Sequence, residues 1–239
     1  MRNLRSYFII LLCVWLTMNV ALAGDPVPVQ ALTREGTIQE AGEPFSLSYD
    51  LWLPYLLDDR AETFNERYSD WLAYYADDYA TMFYEEQHDL WLELGGDITP
   101  LEFTVMFEQT YNDGEIISMW ICEGILENDR LTELYMGETF SLALGRSLTL
   151  GDLLDETEPP LVFAVFEIAQ QIEEIRRTDN IWGFYDDVDE NVIAMYFSEM
   201  DFFLDETGRV VLFLNPAGIS DCTSGICTFP TDFLVKISN

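Results

Sequence analysis

Between Asp59 and Leu92, large apolar and aromatic residues return every three or four positions: Phe64, Tyr68, Trp71, Tyr75, Tyr79 and Met82. A helix of 3.6 residues per turn places all six on one stripe. Asp70, Asp77, Asp78 and Glu85 then fall on the outer face, and Gly95-Gly96 and Pro100 end the pattern. A stripe this wide needs an apolar surface to cover it, and the neighbouring sequence offers strands.

Phe45–Leu57 reads as a strand, with some strand also in Val27–Thr33 of an otherwise flexible leader. Leu101–Tyr111 alternates, with Leu101, Phe103, Val105 and Phe107 on one face. Asn112-Asp113-Gly114 is a hairpin turn, Ile116–Ile125 returns, and Leu131–Leu144 follows a second turn at Asn128-Asp129. After Gly145-Arg146-Ser147 comes the step Leu148–Leu154. There Thr149 can cap a short helical turn and Asp152 adds favourable charge.

A second helix opens at Pro160 and runs to Arg177, with Leu161, Val165, Ile168, Ile172 and Ile175 on one face. A short helix near Asn191–Phe197, a hairpin through Glu206-Thr207-Gly208 and a last strand after Phe229-Pro230 complete the chain. The expected fold is α+β: antiparallel sheets packed against one long and one shorter helix, in two intertwined subdomains. The expected boundaries are 1–23, 24–44, 45–130 and 131–239.

Residues 1–23 carry the marks of an export signal. Arg2 and Arg5 precede the apolar run Phe8–Leu16, and Ala21-Leu22-Ala23 forms a cleavage site before Gly24. The expectation is an exported protein, periplasmic or extracellular, with no membrane segment once the signal is removed. The whole chain has a formal charge of −33. Loss of Arg2 and Arg5 takes that −33 to −35. Such a field opposes nucleic acid and favours cationic partners.

Three cysteines lie beyond the signal. Cys222 and Cys227 flank Thr223-Ser224-Gly225-Ile226, and in an oxidising compartment they are candidates for a disulfide pinning the loop Ala217–Thr228. A ring that small adds ~2 kcal/mol by loop closure. Cys122 is expected as a small buried hydrophobe in a strand.

The chain has no nucleophile elbow, zincin helix or phosphate-binding loop. Its single histidine, His88, sits in the polar stretch Glu85-Glu86-Gln87-His88-Asp89 and reads as a solvated surface residue. The acidic run Asp186–Glu190 resembles a calcium loop in charge only, lacking the glycine and the spaced glutamate. No catalytic group, metal or cofactor is expected. The loop Ala217–Thr228 carries the functional expectation, because long ordered loops are usually functional. Its partner-binding candidates are Pro216, Ala217, Ile219, Ser220, Asp221, Thr223 and Gly225.

The order of these elements resembles the C-terminal domain of the RsiV-like family of bacterial envelope proteins. Gly145, Leu148, Leu150, Asp152 and Leu153 match its Leu-rich step; Gly208, Phe213, Pro216, Gly225 and Pro230 match its hairpin and last strand. The segment Ser46–Ile125 resembles the N-terminal domain that accompanies it, which is also seen in PdaC-type deacetylases. The resemblance implies a non-catalytic envelope protein whose partner is a cationic protein such as lysozyme, or peptidoglycan fragments. The alternative it leaves open is an enzyme acting on wall polysaccharide, or a deacetylase accessory domain. No segment is read as a cytoplasmic sigma-binding region, so a complete anti-sigma factor is not expected. The family's aromatic after the proline is Ala217 here, and Cys222-Thr223 stand where a second tyrosine often lies.

Overall fold

A computed structural model describes residues 25–95, 101–128, 130–154, 159–178, 183–215, 219–220 and 225–235. Six strands form one sheet in the order β1 to β6: Val29–Ile38, Leu47–Leu56, Leu101–Asn112, Ile116–Glu127, Arg130–Ser141 and Arg146–Ser147. All neighbours are antiparallel except β2 and β3, which run parallel with Leu47 opposite Leu101. Parallel neighbours need a long crossover, and the aromatic helix supplies it. A 3₁₀ turn at Asp59–Ala61 leads into α1 (Glu62–Ala73), a π turn (Tyr74–Tyr79) and α2 (Ala80–Glu93). The leader is a paired strand rather than a tether, since β1 is matched to β2 over its whole length.

The stripe packs on the sheet as its period requires, up to a point. Phe64 and Tyr68 are fully buried, with Phe64 5.1 Å from Phe140 between ring centres. Tyr75 and Tyr79 pack on Phe103 at 5.8 and 5.0 Å. The π turn then slips the helical phase by about one residue. Ala76, Ala80 and Tyr84 become the buried residues, and Met82 stands 53% exposed instead of joining the core. His88 follows the new phase. It is half-buried and stacks on Tyr84 at 5.5 Å and on Trp91 at 5.6 Å, so the expected solvated histidine is part of an aromatic cluster closed by Phe45. Its polar sequence neighbours gave no sign of Phe45, which arrives from the chain before β2.

The same helix buries one charge. Glu138 of β5 is 4% exposed. It accepts from Arg67 Nη2 at 2.7 Å and from the Tyr68 hydroxyl at 3.1 Å. Arg67 also lies 5.0 Å over the Tyr68 ring and donates to Ser147 Oγ at 2.8 Å. Burial, and after it the Glu138 charge, pushes the Tyr68 phenol well above its ordinary range.

A smaller sheet stands on the other face. It holds β7 (Phe202–Leu204), β8 (Arg209–Leu214) and β9 (Cys227–Leu234), all antiparallel. Val210, Leu212 and Leu214 of β8 face a core built with α3 (Leu150–Leu153), α4 (Pro160–Thr178) and α5 (Glu190–Tyr196). Phe213 faces back to Cys122 and Tyr135 of the large sheet. Leu161 is 41% exposed, and Ala164, Ile168 and Ile172 form the buried face of α4. The step motif forms a capping box, in which Thr149 and Asp152 each satisfy a free main-chain N–H of the other's residue. Pro230 sits in the edge strand β9, where a missing N–H does not interrupt an interior ladder. The fold is therefore α+β as expected, with one parallel pair inserted by the long helix. Among the described residues no helix is long and apolar enough to cross a membrane.

Candidate functional site

The loop between β8 and β9 leaves the small sheet at Asn215, which behaves as an extra rung of pairing. Its Oδ1 accepts from Tyr135 N at 2.6 Å and its Nδ2 donates to Tyr135 O at 3.0 Å. The loop returns at Gly225, in the left-handed region at φ 93°, whose N–H donates to Glu133 Oε2 at 2.6 Å. Both ends thus rest on β5, one on the main chain of Tyr135 and the other on the side chain of Glu133. Midway, Ile219 O accepts from Tyr185 N at 3.1 Å, and Ser220 bridges to Phe184.

Of the seven candidate binding residues, Ile219, Ser220 and Gly225 are described. Ile219 is 0% exposed and Ser220 3%. These two are anchors whose side chains a partner does not reach in this conformation. Gly225 is half-buried at the loop's exit. Pro216, Ala217, Asp221 and Thr223 lie outside the described residues, as does Cys222 and with it the expected pairing to Cys227. Cys227 itself is buried at the start of β9, opposite Leu214. Sequence reasoning missed Glu133, Tyr135 and Asn215, which hold the loop. Asn215 before Pro216 was a signal, since an asparagine at a strand end commonly bonds nearby main chain.

The ground beneath the loop is chemically quiet. Cys122 is 2% exposed, and burial, then the Glu133 charge, pushes its thiol up to about 12. A thiol held protonated is a poor nucleophile and metal ligand. Burial likewise raises the neighbouring Tyr135 phenol, with Cys122 and Glu133 adding to it.

The acidic run after α4 borders a groove of about 380 Å³ lined by Glu173, Asp186, Asp189 and Glu190. Arg176 also lines it, donating to the carbonyl oxygens of Tyr185 and Val188. Asp189 is spent on capping α5, accepting from the N–H groups of Asn191 and Val192 at 2.8 and 3.0 Å. No group of three or more His, Cys, Asp or Glu side chains among the described residues is placed to hold a metal.

No family model and no curated protein matches the sequence. Solved structures do match. A DUF3298 family member from Bacteroides fragilis superposes with a TM-score of 0.61 at 10% identity, over 86% of this chain and 90% of its own. A DUF3298 family protein from Pseudomonas aeruginosa PAO1 superposes at 0.50 and 13% identity, with the same coverage. The fold is that of these DUF3298 proteins. The likeness covers most of the chain, and at these identities it speaks to fold alone.

Proposed function

We propose that this chain is an exported, non-catalytic, RsiV-like envelope protein that binds a cationic protein of the lysozyme type through the loop 216–224, drawn to it by the chain's net negative charge. The observation that carries the reading is the loop's anchorage. Asn215 and Gly225 fix its two ends on Tyr135 and Glu133, and Ile219 and Ser220 tie its middle to Tyr185 and Phe184. Rigid ends reduce the ordering entropy a binding loop has to overcome. The formal charge of −33 speeds encounter with a basic partner.

Several residues that carry the resemblance also have conformational roles. Gly145, Gly208 and Gly225 take left-handed φ values of 63°, 80° and 93°, and Asp152 closes the capping box. Export through cleavage after Ala23 belongs to the same proposal. Calorimetry with lysozyme at low and high ionic strength tests it. The expected result is binding at low salt that weakens steeply as salt rises. Absence of heat at low salt refutes the lysozyme reading.

A second reading, binding of peptidoglycan glycan, is favoured by Trp52. This residue is 49% exposed on the face of β2 turned away from the helix, with its Nε1–H fixed on Asp50 Oδ1 at 2.7 Å. A held, open indole suits stacking on a pyranose ring. Titration with soluble peptidoglycan fragments should quench Trp52 fluorescence, and the quenching should vanish in Trp52→Ala. Unaltered quenching in that variant refutes this reading.

A further inference from the structure

The π turn Tyr74–Tyr79 leaves a consequence on the solvent side of the long helix. By slipping the phase it withdraws Met82 from the core and leaves it 53% exposed, on the same side as Tyr74, which is 47% exposed. Together with Asp77, Asp78, Thr81 and Glu85 they bound a shallow groove of about 290 Å³. Wide turns of this kind recur at functional sites.

One guanidinium already sits at the rim. Arg34 of β1 forms a two-pronged pair with Asp77, its Nη1 at 3.0 Å from Oδ2. The groove therefore has three carboxylates and one internal cation. Its hydroxyl Thr81 Oγ1 is committed to the Asp77 carbonyl at 3.0 Å. What the walls leave over is negative charge, an aromatic ring and a thioether.

We propose that this groove is a second contact face for the cationic partner, taking one arginine or lysine side chain of that protein. The cation lies over the Tyr74 ring and pairs with Asp78 and Glu85, and its methylenes cover Met82. Tyrosine faces attract cations electrostatically, and arginine pairs with carboxylates in two-pronged fashion. The arrangement repeats with a partner's side chain what Arg34 does from within. The inference rests on the reading of the chain as a binder of cationic protein.

The test uses the full chain and an oligo-arginine peptide at low ionic strength, read by calorimetry. Tyr74→Leu combined with Glu85→Gln should weaken binding by about tenfold. The charge-matched control Glu174→Gln, on an exposed side chain of α4, should change it by less than about twofold. Tyr74→Phe should bind like wild type. Asp78→Asn alone gives an independent reading should the double variant fold poorly, and it is expected to weaken binding about threefold.

Equal weakening by the groove variants and the control overturns the groove while leaving the cationic reading intact, since the general field then suffices. No binding of the peptide by the wild-type chain overturns both. Loss of peptidoglycan-fragment binding in Tyr74→Leu, with peptide binding unchanged, also overturns the proposal by making the groove a glycan site.

Discussion

Replacing Gly137 with alanine should be strongly destabilising, although it adds a single methyl group. Gly137 lies in β5 opposite Trp120, and β7 crosses directly over it. An added Cβ would fall 2.1 Å from the carbonyl oxygen of Phe202 and 2.4 Å from that of Met200. Carbon and oxygen do not approach much closer than about 3.3 Å, so β7 has to retreat by about 1 Å. Main-chain atoms cannot swing aside as a side chain would. The retreat is resisted on three counts. Phe202 and Leu204 are 1% and 0% exposed, Leu204 N donates to Ser118 Oγ at 2.9 Å, and Phe213 N donates to Asp201 O at 3.0 Å. Overpacking a well-filled interior costs about 1–3 kcal/mol, and a main-chain obstacle puts this site at the upper end, ~3 kcal/mol. For a protein of this size each kcal/mol lowers Tm by about 2–4 °C, which gives a fall of about 6–12 °C. Thermal unfolding followed by circular dichroism measures it. Gly42→Ala is the control: its φ is 92°, yet nothing lies within 4 Å of the added methyl, so it registers backbone strain without collision. A Gly137→Ala melting point within about 2 °C of wild type would show that β7 is not seated on β5, and the packing of the two sheets described above would be wrong.

Three other outcomes follow from buried or paired charges. Burial raises Asp201 from 3.8 to about 6, so the folded state holds its proton more tightly than the unfolded chain does. That contribution is fully present below the unfolded value and is lost as pH rises through about 6; Asp201→Asn should stabilise the protein by ~2 kcal/mol at about pH 8 and change little at about pH 4 in urea unfolding. An equal effect at both pH values would contradict it. Glu138→Ala strands Arg67 beside the aromatic stripe and should lower stability by ~3 kcal/mol, whereas an exposed-pair value below about 1 kcal/mol would mean the network is solvated. Asp152→Ala removes the cap on Thr149 N at 2.8 Å and the Arg146 pair at 2.7 and 2.9 Å, at ~1–2 kcal/mol. Because Arg146 holds the Asp152 carboxyl below its usual range, this difference should shrink as pH falls through the folded value.

Local signals carried most of the element order, and long-range partners account for what they missed. Asn112-Asp113-Gly114 marked its hairpin because the turn needs a left-handed glycine, and Gly114 takes φ 87°. Thr149 and Asp152 marked the short helix because a capping box is complete within four residues. The helical stripe was legible through Tyr75 and failed at Met82. The reason is the π turn, where Tyr75 is held by a hydrogen bond to Glu123 and by packing on Phe103, and neither partner is near it in sequence. The strand β1 was blurred because it is a sheet edge whose residues are largely exposed on both faces, so no alternation appears. The parallel pairing of β2 with β3 leaves no mark in either strand. At the candidate site, the loop's length was legible, but its anchors Glu133 and Tyr135 are about 80–90 residues away from the groups they hold.

Strand β5 is the element through which these observations connect. Along it, Glu133 and Tyr135 hold the two ends of the C-terminal loop, Gly137 admits β7, and Glu138 turns the other way to bind Arg67 of the long helix. Alternate side chains of a strand face opposite ways, so one strand joins the loop to one face and the helix to the other. Both faces are buried from Glu138 through Ser141, and a strand packed so closely does not bend to follow a ligand. A partner engaging the loop should therefore meet a base that is already in place, and binding should leave the main chain of β5 unshifted. The groove at the π turn lies on the helical side of that sheet and the loop on the other. If both faces take cationic groups of one partner, that partner has to wrap the edge of the sheet. If they take separate partners, occupation of one should leave the affinity of the other unchanged apart from the partial neutralisation of a shared negative field.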